Sequence, residues 1–334
     1  TLVSLLTARE KYTNYRINQS GFDGSEKFRI YSSTEVHSSI EKDVRIAGFG
    51  SDNLIKIGLN SDFSINTVIL ENCIIKDIEM GCKPLAVITA LGTTSSTAID
   101  NIREVGLICR KYNIWHHVDA AHLGSALILE ENRHWIDGIE NVDTFVFNPH
   151  KWLFTNFDIS AYFVRDKDAL IRTFDILPEY LKTNTGNEVN NYKDWGIQLG
   201  RRFRALKLWF VLRSFGVEGL KIRIRYHISL AKKMEEVILK TDDFKILAPV
   251  AANLICFRWV PNFTENEDEL NELNIKLLDK INSTGKAFLT KTKLNDKVVI
   301  RFNIGQTNVE ERHVFDTWNL INELKNQICE SYRR

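Results

Sequence analysis

Residues 1 to 206 alternate short apolar runs with segments of helical spacing, and this alternation narrows the fold more than any other feature of the chain. Phe28-Arg29-Ile30-Tyr31 reads as a strand, and His37 follows it. Leu85-Ala86-Val87-Ile88-Thr89-Ala90 reads as a buried strand ending at Gly92. From Ala98 to Tyr112 the spacing is helical, with Ile102, Val105, Ile108 and Cys109 on one face. Ile114 to Val118 reads as the next strand and delivers Asp119; Asp143 to Phe147 reads as another and delivers Lys151. Strand-helix-strand repetition predicts an α/β fold around a mostly parallel sheet, with the site at the C-terminal ends of the strands.

The pattern changes further along. Residues 174 to 195 are polar, as a lid or other functional loop would be. Arg204 to Val217 returns to helix, with breaks expected at Gly216 and Gly219. Leu254 to Trp259 and Lys297 to Phe302 read as strands, and Val309 to Cys329 as a final amphipathic helix. The expected organisation is a large domain over residues 1–206 and a small α+β C-terminal domain over 207–334.

Composition bounds the partners. The net charge of +1 gives no global field for nucleic acid or a membrane surface, and no apolar stretch is long enough to cross a bilayer. The five cysteines (Cys73, Cys82, Cys109, Cys256, Cys329) are odd in number and share no C-x-x-C spacing. They read as free thiols in a reducing, cytoplasmic compartment.

The chemistry concentrates in His116-His117-Val118-Asp119-Ala120-Ala121-His122 and Phe147-Asn148-Pro149-His150-Lys151-Trp152. A lysine leaving one apolar strand and an acid leaving an earlier one are what an enzyme needs to hold pyridoxal 5'-phosphate (PLP). The amine forms a Schiff base, and the carboxylate keeps the pyridinium nitrogen protonated. The small pair Ala120-Ala121 leaves room for a flat ring against Ala121.

Five landmarks in order carry a family resemblance: Val36-His37-Ser38-Ser39, Leu91-Gly92-Thr93-Thr94, His117 to Ala121, Asn148 to Trp152, and Gly200-Arg201-Arg202-Phe203-Arg204. With them the chain resembles the group II PLP-dependent decarboxylases, closest to the aromatic L-amino acid decarboxylases, over essentially its whole length. The resemblance implies the fold type I, PLP-dependent transferase-like architecture and a homodimer with its active site at the subunit interface. It implies an aromatic amino acid as substrate and PLP as cofactor. It makes Lys151 the covalent attachment point, Asp119 the pyridinium partner and His37 the residue stacked on the ring. Thr94 is implied near the cofactor, Asn148 near its phosphate, and His150 beside Lys151. Tyr180, in the polar loop, is implied to deliver the proton to the substrate α-carbon after CO2 leaves. Relatives that make aldehydes replace this tyrosine with phenylalanine or the stacking histidine with asparagine. This chain keeps both, which favours simple decarboxylation.

Each residue also has a plainer reading. Thr94 and Asn148 suit ordinary turns, Tyr180 a loop anchor, and Gly200 the end of a loop. In the resemblance Gly200 leaves space for a larger substrate side chain, an indole or catechol, where relatives specific for histidine, and some for tyrosine, have serine. The cluster Arg201, Arg202, Arg204 and Lys207 reads as a helix start with structural ion pairs. His122 stands where the resembling decarboxylases have tyrosine, which bears on substrate preference. His117, Asp119 and His122 also form a minor metal-ligand pattern, but no water-activating acid accompanies it, so no metal is expected. Resembling chains carry a serine-rich phosphate cup ahead of the first helix, so an N-terminally incomplete chain is expected. The competing readings are a non-catalytic fragment without that cup, or a PLP decarboxylase for histidine, glutamate or a sulfinoalanine-type substrate.

Overall fold

The computed structural model describes residues 1–176 and 192–332. Contacts divide the chain into two units. The first comprises 1–91, 99–151 and 155–210; the second comprises 92–98, 152–154 and 211–334.

The first unit is built on a six-stranded sheet. Its strands are β1 (Phe28–Ser33), β2 (Leu54–Ile57), β3 (Lys83–Ala90), β4 (Trp115–Asp119), β5 (Thr144–Phe147) and β6 (Ala161–Val164), in the spatial order β2-β1-β3-β4-β5-β6. All neighbours are parallel except β6, which runs antiparallel to β5. The period-2 alternation of a strand sends successive side chains to opposite faces. On one face Ile30, Ala86 and Ile88 pack with Leu5 and Ala8 of α1 (Leu2–Tyr12) and Ile40 and Val44 of α3 (Ser38–Ile46). On the other, Tyr31 and Val87 pack with Leu70 and Ile74 of α4 (Thr67–Glu79) and Val105, Ile108 and Cys109 of α5 (Ile102–Tyr112). The unit also holds two shorter α-helices, α2 (Arg16–Ser20) and α6 (Lys167–Phe174). The parallel sheet and its α/β layering match the expectation from the alternating pattern.

Several boundaries differ from the sequence reading. Helix α5 starts at Ile102 and not at Ala98, because the Asn101 side chain accepts the Glu104 N–H at 3.1 Å and caps the helix there. Asn113 ends it in the left-handed region, at φ 55°. The long helix α7 (Ala205–Leu239) is interrupted at Gly216, whose φ of 65° and ψ of 168° are not helical. Gly219 causes no break: it stays within the helix.

The second unit holds a four-stranded antiparallel sheet of β7 (Phe244–Ile246), β8 (Leu254–Trp259), β9 (Thr290–Leu294) and β10 (Lys297–Asn303), in the order β7-β8-β10-β9. Ile255, Phe257 and Trp259 of β8 and Ile300 and Phe302 of β10 point to one face. There they meet Leu230, Met234 and Ile238 of α7, Leu273, Leu277 and Ile281 of α8 (Glu267–Ser283), and Trp318 and Ile321 of α9 (Glu311–Tyr332). Trp259 is fully buried, and its indole donates to Asp243 Oδ2 at 3.2 Å. Among the described residues no helix is long and apolar enough to cross a membrane. Trp259→Ala is expected to lose about 3–5 kcal/mol of stability, read as a lowered midpoint in urea unfolding; an unchanged midpoint would show that this core is not closed around the ring.

Candidate active site

Four adjacent parallel strands, β1, β3, β4 and β5, end at the same edge of the first sheet. Asp119 closes β4, and Lys151 follows β5 by one turn. His37 follows β1 and caps α3. Pairing between β4 and β5 runs through His117 opposite Thr144 and Asp119 opposite Val146. It continues past the strand ends, with Ala120 N donating to the Val146 carbonyl at 2.8 Å and Asn148 N to the Ala121 carbonyl at 3.1 Å. The acid-bearing and lysine-bearing turns are therefore stitched together by backbone hydrogen bonds.

Each side chain is held locally. Asp119 Oδ1 accepts the Ala121 N–H at 3.0 Å, a short turn that fixes one oxygen and leaves the carboxylate half-exposed. Lys151 N donates to the Asn148 carbonyl at 2.9 Å, which turns the lysine back over the strand end. Its side chain is reachable by solvent, yet protein atoms crowd the amine. Desolvation lowers its pKa below that of an ordinary lysine, and the Asp119 carboxylate works in the opposite direction. His37 Nδ1 accepts the Ser39 N–H at 3.2 Å and lies 2.8 Å from Ser39 Oγ. This sets the ring at the start of α3 with its surface exposed.

Asn148 Oδ1 accepts from Ser160 Oγ at 2.7 Å. His150 sits beside Lys151 in sequence, but its Nδ1 is taken up by the Ile159 peptide, 2.6 Å from the carbonyl and 3.0 Å from the N–H. Thr94 is exposed and belongs to the 92–98 segment of the second unit. Tyr180 and most of the polar stretch around it lie outside the described residues. Gly200 has open space where a Cβ would stand, and its φ is not in the left-handed region. The neighbouring basic cluster is in part structural. Arg204 pairs with Asp158 at 3.1 Å, and Lys207 donates to the Asn156 and Asp158 carbonyls.

His117 is not disposed as a metal ligand with Asp119 and His122. Its Nε2 lies 3.2 Å from Thr1 Oγ1 and its Nδ1 2.9 Å from Thr144 Oγ1, and burial holds its pKa well below the usual histidine value. Among the described residues no cluster of three His, Cys, Asp or Glu is placed to bind a metal. A cleft of about 690 Å³ opens near Leu85, Ile114 and Asp143, at the opposite end of the strands. Neither Asp119 nor Lys151 lines it, so volume alone does not mark the chemistry.

Gly124 escaped the sequence reading. A Cβ on it would stand 2.4 Å from Phe147 Cβ and 3.1 Å from Ala120 Cβ. Only hydrogen there lets the turn after β4 press against the end of β5. The sole sequence signal was a glycine shortly after Asp119-Ala120-Ala121. Gly124, Ala120 and Ala121 keep the edge low beside the carboxylate, and the amine and acid flank that space from neighbouring strands. This donor set fits PLP.

The comparisons with known proteins agree. A family profile described as the pyridoxal-dependent decarboxylase conserved domain matches residues 1–260. The chain belongs to the pyridoxal-dependent decarboxylase family. It is 42% identical over 326 residues to a phenylacetaldehyde synthase of Arabidopsis thaliana, covering 96% of this chain and 66% of that protein. It is 39% identical over 335 residues to a tyrosine decarboxylase of Papaver somniferum, covering 96% of this chain and 65% of that one. The chain thus spans just under two thirds of the length of these relatives. The crystal structure of Oryza sativa TDC with PLP and tryptamine superposes with a TM-score of 0.92 at 35% identity, over 98% of this chain and 68% of that one. The cofactor of the family is PLP.

In the cofactor-free chain desolvation and the Asp119 charge act on the Lys151 amine in opposite directions. The Lys151 amine is expected to react with trinitrobenzenesulfonate at lower pH than an ordinary exposed lysine. Because the Asp119 anion holds the ammonium charged, Asp119→Asn is expected to move that labelling limb to still lower pH. Peptide-resolved labelling against pH checks this, and an upward or absent shift would show that the carboxylate does not act on the amine.

Proposed function

We propose that the protein carrying this chain is a PLP-dependent carboxy-lyase that converts an aromatic L-amino acid to its amine and CO2. The observation that supports it most is the desolvated amine of Lys151 beside Asp119, delivered by adjoining parallel strands. When bound, PLP supplies the electron sink for cleavage at the substrate α-carbon.

The chain's residues supply the rest. Lys151, more readily neutral than an ordinary lysine, offers the amine for covalent attachment. Asp119 provides the anion that keeps a ring nitrogen protonated. His37, held through Nδ1 by Ser39, presents its ring face for stacking, and Ala121 leaves room on the other side. Thr94, Asn148 and His150 complete the cofactor surroundings; Asn148 stands nearest to a phosphate role, with its amide NH2 left to donate while Oδ1 is bonded to Ser160. Tyr180 gives a proton to the substrate α-carbon after CO2 departs. That proton transfer requires water and oxygen to be kept from the α-carbon.

Substrate class rests on the relatives, which include a tyrosine decarboxylase and a tryptophan decarboxylase of Oryza sativa subsp. japonica, and on the open space at Gly200. The phenylacetaldehyde synthase relative makes aldehyde formation the second reading. Tyr180 and His37 favour the amine. We place the functional unit as a homodimer in the cytoplasm, with a large domain over 1–206 and a small one over 207–334. Exposed Phe203, Trp209 and Phe210 offer apolar surface for self-association, and no two of the five cysteines form a disulfide, as suits a reducing compartment.

Borohydride reduction of the PLP-loaded protein followed by peptide mapping is expected to label Lys151; label on another lysine overturns the assignment. Tyr180→Phe is expected to keep releasing CO2 while at least half of the product shifts from amine to aldehyde with hydrogen peroxide. Amine, aldehyde and peroxide measured together on one aromatic substrate decide this. Amine alone, at the parent rate, would make Tyr180 a loop anchor.

A further inference from the structure

Asp100 is a fully buried acid that takes no part in the proposed chemistry. Its side chain is spent on backbone. Oδ1 accepts the Ile65 N–H at 2.7 Å and Oδ2 accepts the Ala90 N–H at 2.7 Å. Its own N–H donates to the Ala90 carbonyl at 3.0 Å, so Ala90 is gripped through both of its peptide groups. Ala90 is the last residue of β3 and stands opposite Asp119 in the parallel register. The next residue, Leu91, donates its N–H to the Asp119 carbonyl at 2.9 Å and bridges to Ile99, immediately before Asp100. A continuous run of hydrogen bonds thus leads from the Asp100 carboxylate through the end of β3 to the backbone of Asp119.

The choice of an acid here needs a reason. Burial pushes the Asp100 carboxyl up to about 6, and Asp62, the charged neighbour acting on it, pushes the same way; only the two amides oppose this. Because the folded pKa is raised, the fold gains from a proton on Asp100 and loses that gain as pH rises through about 6. At neutral pH an apolar side chain would avoid the desolvation but would orphan the Ile65 and Ala90 amides. A carboxylate is the smallest side chain that presents two acceptors and no donor. Asparagine of the same shape would turn an NH2 group against one of the amides.

We propose that Asp100 is a positioning residue for the cofactor acid: it locks the end of β3 so that Asp119 is held at a fixed height at the sheet edge. The inference rests on the reading of Asp119 as the pyridinium partner. By linkage, a ligand that uses the positioned Asp119 also tightens the lock.

The test uses the full-length protein, with and without PLP, and two variants. Asp100→Asn is expected to speed amide exchange over residues 64–66 and 88–91 at least tenfold in the cofactor-free protein. With PLP it should weaken cofactor affinity at least tenfold and shift the visible absorption of the bound cofactor. It should lower kcat at least tenfold with KM within twofold. Asp77→Asn is the control. Asp77 is also a buried acid, bonded to Tyr31 Oη at 2.8 Å on β1, away from the strand ends. It is expected to lower thermal stability without altering the absorption band or kcat. Should Asp100→Asn fail to fold, the wild type still decides: PLP binding is expected to slow exchange over 88–91 at least tenfold. Unchanged exchange there on PLP binding overturns the proposal. So does an Asp100→Asn variant that matches Asp77→Asn in every readout. A wild type that takes up no PLP sinks the cofactor reading itself, and unchanged exchange over 88–91 in Asp100→Asn would then overturn the lock on its own.

Discussion

Parallel pairing between β4 and β5 sets Asp119 opposite Val146, and it continues for two more residues as backbone bonds from Ala120 to Val146 and from Asn148 to Ala121. The site depends on this register. Side chains alternate along a strand, so a slip of one residue would turn Asp119 into the opposite layer and take the carboxylate out of reach of Lys151. The register is held from both sides. The layer containing Ala86, Ile88 and Trp115 and the layer containing Val87 and Ile114 are each packed against helices, and a slip would exchange the two. Burial of apolar surface far from the site is what keeps an acid and an amine at one edge.

Desolvation then sets the chemistry. The same physical cause acts on Lys151, His117 and Asp100, with three different results. At Lys151 it lowers the pKa of an amine that remains reachable, which suits a nucleophile. At His117 it enforces a neutral ring whose two nitrogens are engaged by threonine hydroxyls. At Asp100 it raises a carboxyl that two backbone amides hold in place. Reactive and supporting groups differ in exposure and in whether their polar atoms are already satisfied. Lys151 keeps an amine in reach of solvent, whereas the oxygens of Asp100 are committed to amides.

The second unit follows other rules. Its sheet is antiparallel and closes a core of Phe244, Phe257, Trp259 and Trp318 from a different stretch of chain. Buried Asn274 ties α8 to β8 by accepting the Trp259 N–H at 2.8 Å and donating to the Trp259 carbonyl at 2.8 Å. A polar side chain that satisfies both peptide groups of one strand residue fixes helix against strand in one register.

Leu85 to Ala90 and Leu254 to Trp259 were legible because their runs are largely apolar, although β3 opens two residues earlier, at Lys83; the strand expected over Ile114 to Val118 lies one residue on, at Trp115–Asp119. The short or polar strands β2, β6, β7 and β9 were not legible, since pairing with a neighbour, and not composition, makes them strands. The Lys151 and Asp119 motifs were readable because their residue types and order are specific. Other features depend on what approaches from elsewhere. Gly124 looked like any turn glycine until Phe147 closed to 2.4 Å of its missing Cβ, and Asp100 looked like a residue of the helix that in fact begins two positions later. Sequence by itself determined the layered α/β order, the candidate acid and the candidate lysine, because periodicity and residue chemistry are local properties. Tertiary structure alone decided which strand stands beside which, how far each amine and carboxylate is desolvated, and which buried acid grips the end of β3. Those are set by contacts between residues far apart along the chain.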